Sequence, residues 1–320
     1  MSFWSPRSHN LKQKLSFELH WPLQDPSPDI LLTDTNLHGM LGLLILKSNT
    51  ELDKISLVCY AKGDNQLSME THFNPIIRYL VRKLRKAIYK KANLVIYASN
   101  WLKHTIEEDI PSLKGKPNCI VRTGVSTFYL NRPYVERNWN TDQTLKLLYA
   151  GTLNLQPKAS RLERLAQITE ELNRHGHSTH LRILGGGKLL NETRNRLKVY
   201  ADTTIEGYVS SEALVLAYED SHIFVYDSES DGAPNTIMEA QACGLPVITT
   251  DTSGAPELIS NKTGFACNTY EEMLSAIILL KENTTKLKNM SLNAYKYARE
   301  NLTWENSAKQ LVEALKLLKV

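Results

Sequence analysis

From Leu145 onward, short β-rich runs alternate with amphipathic stretches, and no other feature narrows the fold so far. The runs Leu145–Ala150, His180–Leu184, Thr203–Glu206, Ile223–Asp227, Pro246–Thr250 and Gly264–Cys267 read as strands. Between them Ala159–Arg174, Lys188–Tyr200, Glu212–Asp220, Asn235–Cys243 and Ala255–Ser260 read as helices. Such alternation folds as βαβ units, with parallel strands covered by the helices that connect them. Gly176 and Gly244 stand where helix C-termini favour a left-handed residue. Thr269-x-x-Glu272 is a capping box for the helix after the last strand, and the final fifty residues read as helical.

The front of the chain repeats the pattern more sparsely. Asp29–Thr33, Ile55–Tyr60, Leu94–Ala98 and Asn118–Val121 read as four strands, with helices over Leu37–Lys47, Asn74–Lys91 and Asn100–Glu108. Pro75 suits the first turn of the second helix. Asn131–Thr144 is polar and aperiodic and reads as a linker between two α/β domains, an organisation that 320 residues accommodate. A net charge of +4 is too small to argue for nucleic acid. The four cysteines form no CxxC pair, so neither a zinc site nor a dithiol is expected, and they read as core thiols of a cytosolic protein. Residues 1–21 lack the apolar core of a signal peptide, and no run approaches the length of a membrane span.

Chemistry concentrates in Ser228–Val247, SESDGAPNTIMEAQACGLPV. An apolar strand runs into an acidic loop, and a helix then opens at Asn235. In a parallel sheet that loop lies at the carboxyl end of a strand, where open α/β folds bind ligands. A helix N-terminus offers free N–H groups and the positive end of a dipole, which suit a diphosphate. Gly232 permits close backbone approach. Glu239, one turn into the helix, is placed to accept hydrogen bonds from two vicinal hydroxyls of a ribose.

The segment resembles the E-x7-E signature of retaining GT-B glycosyltransferases of the family 4 type, with Asp231 and Glu239 in the two acidic positions. Other landmarks follow in the family's order: Leu147-Leu148-Tyr149-Ala150-Gly151-Thr152-Leu153, then Lys158, Leu184-Gly185-Gly186-Gly187, Glu206-Gly207-Tyr208-Val209, Gly254-x-x-Glu257 and Trp304. The resemblance implies two Rossmann-like parallel-sheet domains facing across a cleft. These are a shortened acceptor-side domain over 1–140 and a donor domain over 141–302, with 303–320 a helix packing back on the first. It implies a nucleoside diphosphate sugar as donor, a glycan or lipid-linked acceptor, no cofactor and no metal. By the same resemblance Asp231 lies near the donor sugar, Glu239 at the ribose, and Lys158 with Arg161 at the pyrophosphate. Backbone of Gly232, Ala233, Pro234 and Asn235 would meet the phosphates. Gly151, Thr152, Gly185, Gly186, Gly207, Tyr208 and Val209 would line the donor site.

Three departures stand out. Thr152 occupies a position where the family carries arginine, and the first acid is one methylene shorter than glutamate. The family's cleft histidine falls near Lys62, where this chain has none. A sugar-nucleotide epimerase, or a donor-binding subunit completed by a partner chain, would account for the same motifs. Separately, Arg78–Lys91 carries seven cations in fourteen residues. It suits the anionic inner face of a membrane, although its Leu80, Leu84 and Ile88 stripe also suits packing on a sheet. No aromatic platform accompanies these charges, which argues against nucleic acid.

Overall fold

A computed structural model describes residues 30–34, 56–62, 74–139, 143–154 and 156–318, with the side chains of 34 and 156–159 outside that set. The helix expected over Leu37–Lys47 lies outside the described residues. The chain divides into two compact units, one of residues 1–98, 102–121 and 310–320, the other of 99–101 and 122–309.

The first unit holds a four-stranded sheet ordered β1-β2-β3-β4, from β1 (Ile30–Asp34), β2 (Ser56–Ala61), β3 (Leu94–Tyr97) and β4 (Asn118–Ile120). Every pairing is parallel, with Leu31 opposite Leu57 and Cys59 opposite Val95. Helix α1 (Pro75–Lys91) begins at an Asn74 cap whose Oδ1 accepts from the Ile77 N–H, and α2 (Asn100–Asp109) follows β3. Val58, Tyr60, Leu94, Ile96, Val121 and Ala314 form the core of this unit.

The second unit begins with a one-turn helix α3 (Thr127–Leu130) that sequence periodicity did not reveal. Its six strands are β5 (Leu145–Ala150), β6 (Thr179–Leu184), β7 (Thr203–Gly207), β8 (Ile223–Tyr226), β9 (Val247–Thr250) and β10 (Gly264–Cys267). Their order is β10-β9-β8-β5-β6-β7, all parallel. The helices are α4 (Gln156–Arg174), α5 (Leu190–Leu197), α6 (Ser211–Asp220), α7 (Asn235–Ala242), α8 (Tyr270–Glu282) and α9 (Thr284–Asn301), and α10 (Trp304–Leu315) begins in this unit, its residues from 310 belonging to the first. Strands β8 and β9 are wholly buried, which is why β8 reads as an unbroken apolar run and β9 as two apolar residues followed by two β-branched threonines rather than as alternation. Both expected C-cap glycines adopt positive φ, 82° at Gly176 and 77° at Gly244. The Thr269 hydroxyl oxygen accepts from the Glu272 N–H, but the Glu272 carboxylate reaches one residue beyond the cap, to the Asn268 N–H at 2.7 Å.

Two expectations need correction. Ala255–Leu258 is a 3-10 turn and not an α-helix, with Pro256 at its start. The supposed linker is also not a spacer over its described part. Arg137 is buried in the second unit and donates to the carbonyls of Ser221 (2.8 Å), Cys243 (2.6 Å) and Tyr218 (3.2 Å). Polar, aperiodic sequence hides such an anchor, because its partners are backbone carbonyls that leave no mark in a pattern of side chains.

Candidate functional site

The strand order places a topological switch between β5 and β8. From β5 the chain winds outward through β6 and β7, then returns beside β5 and winds the other way through β9 and β10. Loops leaving the carboxyl ends of β5 and β8 therefore diverge, and a crevice opens between them.

On one side, the loop after β5 is laced to the loop after β6. The N–H of Gly151 donates to the Leu184 carbonyl at 3.0 Å, that of Leu153 to Gly186 at 2.9 Å, and that of Leu189 back to Leu153 at 2.9 Å. No side chain fits at this seam. A Cβ on Gly185 would lie 1.8 Å from the Gly151 carbonyl oxygen, and one on Gly187 would lie 2.4 Å from that of Leu153. The Gly185 N–H also donates to the Gly207 carbonyl at 2.7 Å, which joins the loop after β7 to the same set. Tyr208 beside it is exposed, Val209 half-buried and Thr152 exposed.

On the other side, Asp231 and Gly232 belong to the loop after β8. The Asp231 carboxylate accepts from the Tyr226 hydroxyl at 2.7 Å. Tyr226 is buried and stacked on Tyr149, with ring centroids 5.7 Å apart, and burial holds its phenol protonated well above the usual range. The Asp231 carbonyl accepts from the Gly254 N–H at 2.8 Å, and a Cβ on Gly254 would meet the Gly232 oxygen at 1.8 Å. The loops after β8 and β9 are thus as tightly joined as the first set.

Helix α7 has Pro234 as its N-cap and no side-chain cap; the Ile237 N–H donates to the Pro234 carbonyl at 3.2 Å, which leaves those of Asn235 and Thr236 beside the acidic loop. Asn235 at its start is exposed, whereas Gly232 and Pro234 are buried and Ala233 half-buried. Glu239 follows four residues after Asn235 on the same helical face. Its neighbours Ile237, Met238 and Ala240 are buried. The Tyr218 hydroxyl donates to Glu239 Oε2 at 3.2 Å. Burial raises the Glu239 carboxyl above its ordinary range, and the Tyr218 hydrogen bond opposes that shift only in part. Glu257, in the 3-10 turn after β9, accepts from the Asn100 N–H (3.0 Å), the Trp101 N–H (2.8 Å) and Arg122 (3.2 Å).

The structure gives Arg161 other partners than those expected. Its guanidinium pairs with Glu229 and lies 3.3 Å from Asp227. Arg164, one helical turn on, binds Asp227 through both carboxylate oxygens at 2.7 Å. Asp227 is buried at the end of β8, a position that in the sequence shows only the last residue of a strand. A charge closing an apolar run was the available signal, together with two arginines at i and i+3 on the helix after β5. Lys158 stands in the first turn of α4, and its side chain lies outside the described residues. Lys62 is exposed, its ammonium 5.1 Å from the Tyr60 ring centroid. Among the described residues, no group of three His, Cys, Asp or Glu side chains is gathered to hold a metal ion.

Comparison with known proteins converges on the same segment. The sequence profile described as "Glycosyl transferases group 1" matches residues 136–297, just over half of the chain. A probable sucrose-phosphate synthase from Thermosipho melanesiensis is 37% identical over 94 residues, covering 29% of this chain and 22% of that protein. The chain spans 22–61% of the length of the curated relatives it matches, the upper figure for a glycosyltransferase of Methanocaldococcus jannaschii that is 22% identical. Among solved structures, sucrose-phosphate synthase from Thermosynechococcus elongatus superposes with a TM-score of 0.69 at 17% identity, over 90% of this chain and 73% of that one. Anabaena Alr3699/HepE in complex with UDP-glucose does so with a TM-score of 0.64 at 15% identity, over 96% and 81%. At such identities these two likenesses speak for the fold, two parallel-sheet domains of GT-B type.

Proposed function

The chain belongs to the glycosyl transferases group 1 family, and from that premise we propose that it moves a sugar from a nucleoside diphosphate sugar to a glycan or lipid-linked acceptor. The observation that carries this reading is Glu239, a half-buried carboxylate one turn into an uncapped helix that follows the Asp231 loop at the switch point. A carboxylate so placed accepts from two vicinal ribose hydroxyls, while the N–H groups of the first turn of α7 face a diphosphate.

Breaking the anomeric C–O bond leaves charge on the departing phosphate. The first turn of α7 and Lys158 are the groups proposed to meet it, without a metal ion. Asp231, steadied by the Tyr226 hydroxyl, is assigned to the donor sugar. Attack from the leaving-group face through an oxocarbenium-like state would retain configuration and needs no protein nucleophile.

The test is calorimetric titration of the protein with UDP, GDP and ADP in the presence of a chelator, with UDP first because HepE holds UDP-glucose on a similar fold. Binding of one nucleotide without metal is the expected result. Proton NMR of the product made from the matching sugar nucleotide then reads the anomeric configuration. A free sugar or an epimer formed without acceptor would favour epimerase chemistry instead. Failure to bind any of the three would overturn the reading for the isolated chain and direct the search to a partner subunit.

A further inference from the structure

We propose that the outward face of α1 docks on a bilayer surface carrying anionic phospholipid headgroups, an inference independent of the sugar-transfer reading. The buried face of α1 is Val81, Arg85, Ile88 and Tyr89, spaced as one side of a helix requires. The stripe expected to pack inward does so only at its end. Ile88 is buried and Leu84 half-buried, but Leu80 is 58% exposed. With Ile76 at 73% and Tyr79 at 56%, it forms an apolar first turn facing outward. Continuing along the same side come Lys83, Lys90 and Lys91, so three large apolar side chains lead into three exposed lysines.

The helix contains no acidic residue. Asp109 of α2 lies 2.5 Å from Arg85 and 3.2 Å from Lys86, which offsets charge on the inward flank. Among the described residues no ion pair engages Lys83, Lys90 or Lys91. Lys83 lies over the Tyr79 ring at 4.7 Å, which leaves its charge outward and joins the apolar turn to the cationic one.

The two halves of this face ask for one surface that is apolar in depth and anionic at its rim. A phospholipid headgroup region has that structure, with apolar side chains entering the acyl boundary and lysines meeting phosphates above it. A nucleic acid would satisfy the lysines and leave Ile76 and Leu80 in water. Each lysine brought near an anionic surface contributes about fivefold in partitioning.

The test is co-sedimentation of the full chain with vesicles of phosphatidylcholine alone and of phosphatidylcholine with a third of phosphatidylglycerol. Wild type should bind the anionic vesicles and not the neutral ones. Lys83→Glu with Lys90→Glu and Lys91→Glu should lose at least about a hundredfold in partitioning. Ile76→Ser with Leu80→Ser should weaken binding and abolish whatever survives high salt, since screening removes only the electrostatic part. Both variants leave the buried face of α1 intact, and circular dichroism checks that they fold. No binding to either vesicle, or equal binding by wild type and the lysine variant, would overturn the proposal. Self-association abolished by Ile76→Ser with Leu80→Ser, without vesicle binding, would also overturn it and assign the face to a second copy of the chain.

Discussion

Replacing Glu239 should separate ligand binding from folding, because the two respond to this carboxylate with opposite signs. A carboxylate accepting from two hydroxyls makes two charge-assisted hydrogen bonds, each about 1.5–3 kcal/mol. Glu239→Ala should therefore weaken nucleotide binding by about 3–6 kcal/mol, or about a hundredfold to about twenty-thousandfold. Glu239→Gln keeps one acceptor oxygen without the charge and should lose about ten- to sixtyfold. Folding should not suffer in parallel. Tyr218 loses its bond to Glu239 but keeps the Thr236 carbonyl at 3.4 Å, and a carboxylate held in a desolvated place is removed. The pH dependence follows from the raised Glu239 carboxyl. Its contribution to stability is fully present below the ordinary value of 4.5 and is lost as pH rises through the higher folded value. At neutral pH, Glu239→Gln should thus melt no lower than wild type. Binding runs the other way, since only the ionised form accepts from both hydroxyls. Wild-type affinity should fall on acidification before pH reaches 4.5, whereas the glutamine variant stays flat. Calorimetry across pH and thermal melts of all three proteins measure both effects. Nucleotide binding by Glu239→Ala within about threefold of wild type would refute the ribose assignment. A large drop in melting temperature would instead mark Glu239 as structural.

Other positions test neighbouring parts of the reasoning. Tyr226→Phe removes the hydroxyl that holds Asp231, so a sugar nucleotide should bind about fivefold more weakly while the bare nucleotide binds as before; equal losses would place Asp231 away from the sugar. Arg137→Met strips three buried carbonyls of their donor and should cost about 2–4 kcal/mol, lowering the melting temperature of the second unit by about 5–15 °C. His222 accepts from the Lys146 N–H through Nδ1, its other ring nitrogen faces the Asn138 carbonyl, and burial lowers its pKa below 6.5. Its contribution to stability is present above 6.5 and lost as pH falls through the folded value, so His222→Gln should flatten the acid limb of a melting-temperature profile.

Burial on both faces made β8 legible, because it requires an unbroken apolar run such as Ile223–Tyr226 whatever surrounds it. Positive φ likewise made Gly176 and Gly244 readable, since glycine alone enters that region at no steric cost. The Asp231–Glu239 segment was legible through its motif. What escaped were contacts between residues far apart in the chain. Arg164 and Asp227 are 63 residues apart, and Arg137 reaches Cys243 across 106. Neither periodicity nor spacing encodes a partner at such a distance. Leu80 escaped for another reason. A stripe at i, i+4 and i+8 says that a helix has an apolar side, but not that a sheet extends far enough to cover all of it.

Two sets of loops, each laced by backbone contacts that exclude even a methyl group, form the walls of the crevice. Gly151, Gly185 and Gly187 hold the loops after β5 and β6, and Gly232 with Gly254 holds those after β8 and β9. Each wall is therefore rigid by itself, but rigidity within a wall does not fix the gap between walls. That gap is spanned by the parallel Tyr149 and Tyr226 rings, from β5 and β8, and by the bonds from Arg161 and Arg164 of α4 to Asp227. Both links end next to groups assigned to the donor. Tyr226 carries Asp231, and Asp227 begins the loop that leads to it. The buried Asp227 carboxylate engages both arginines, since leaving it without them would be far more costly than any one phosphate contact foregone. With Arg161 engaged by Asp227 and Glu229, the proposed reaction assigns the charge of a departing phosphate to Lys158 and the first turn of α7, which makes the uncapped helix start the most exacting element of the proposed site.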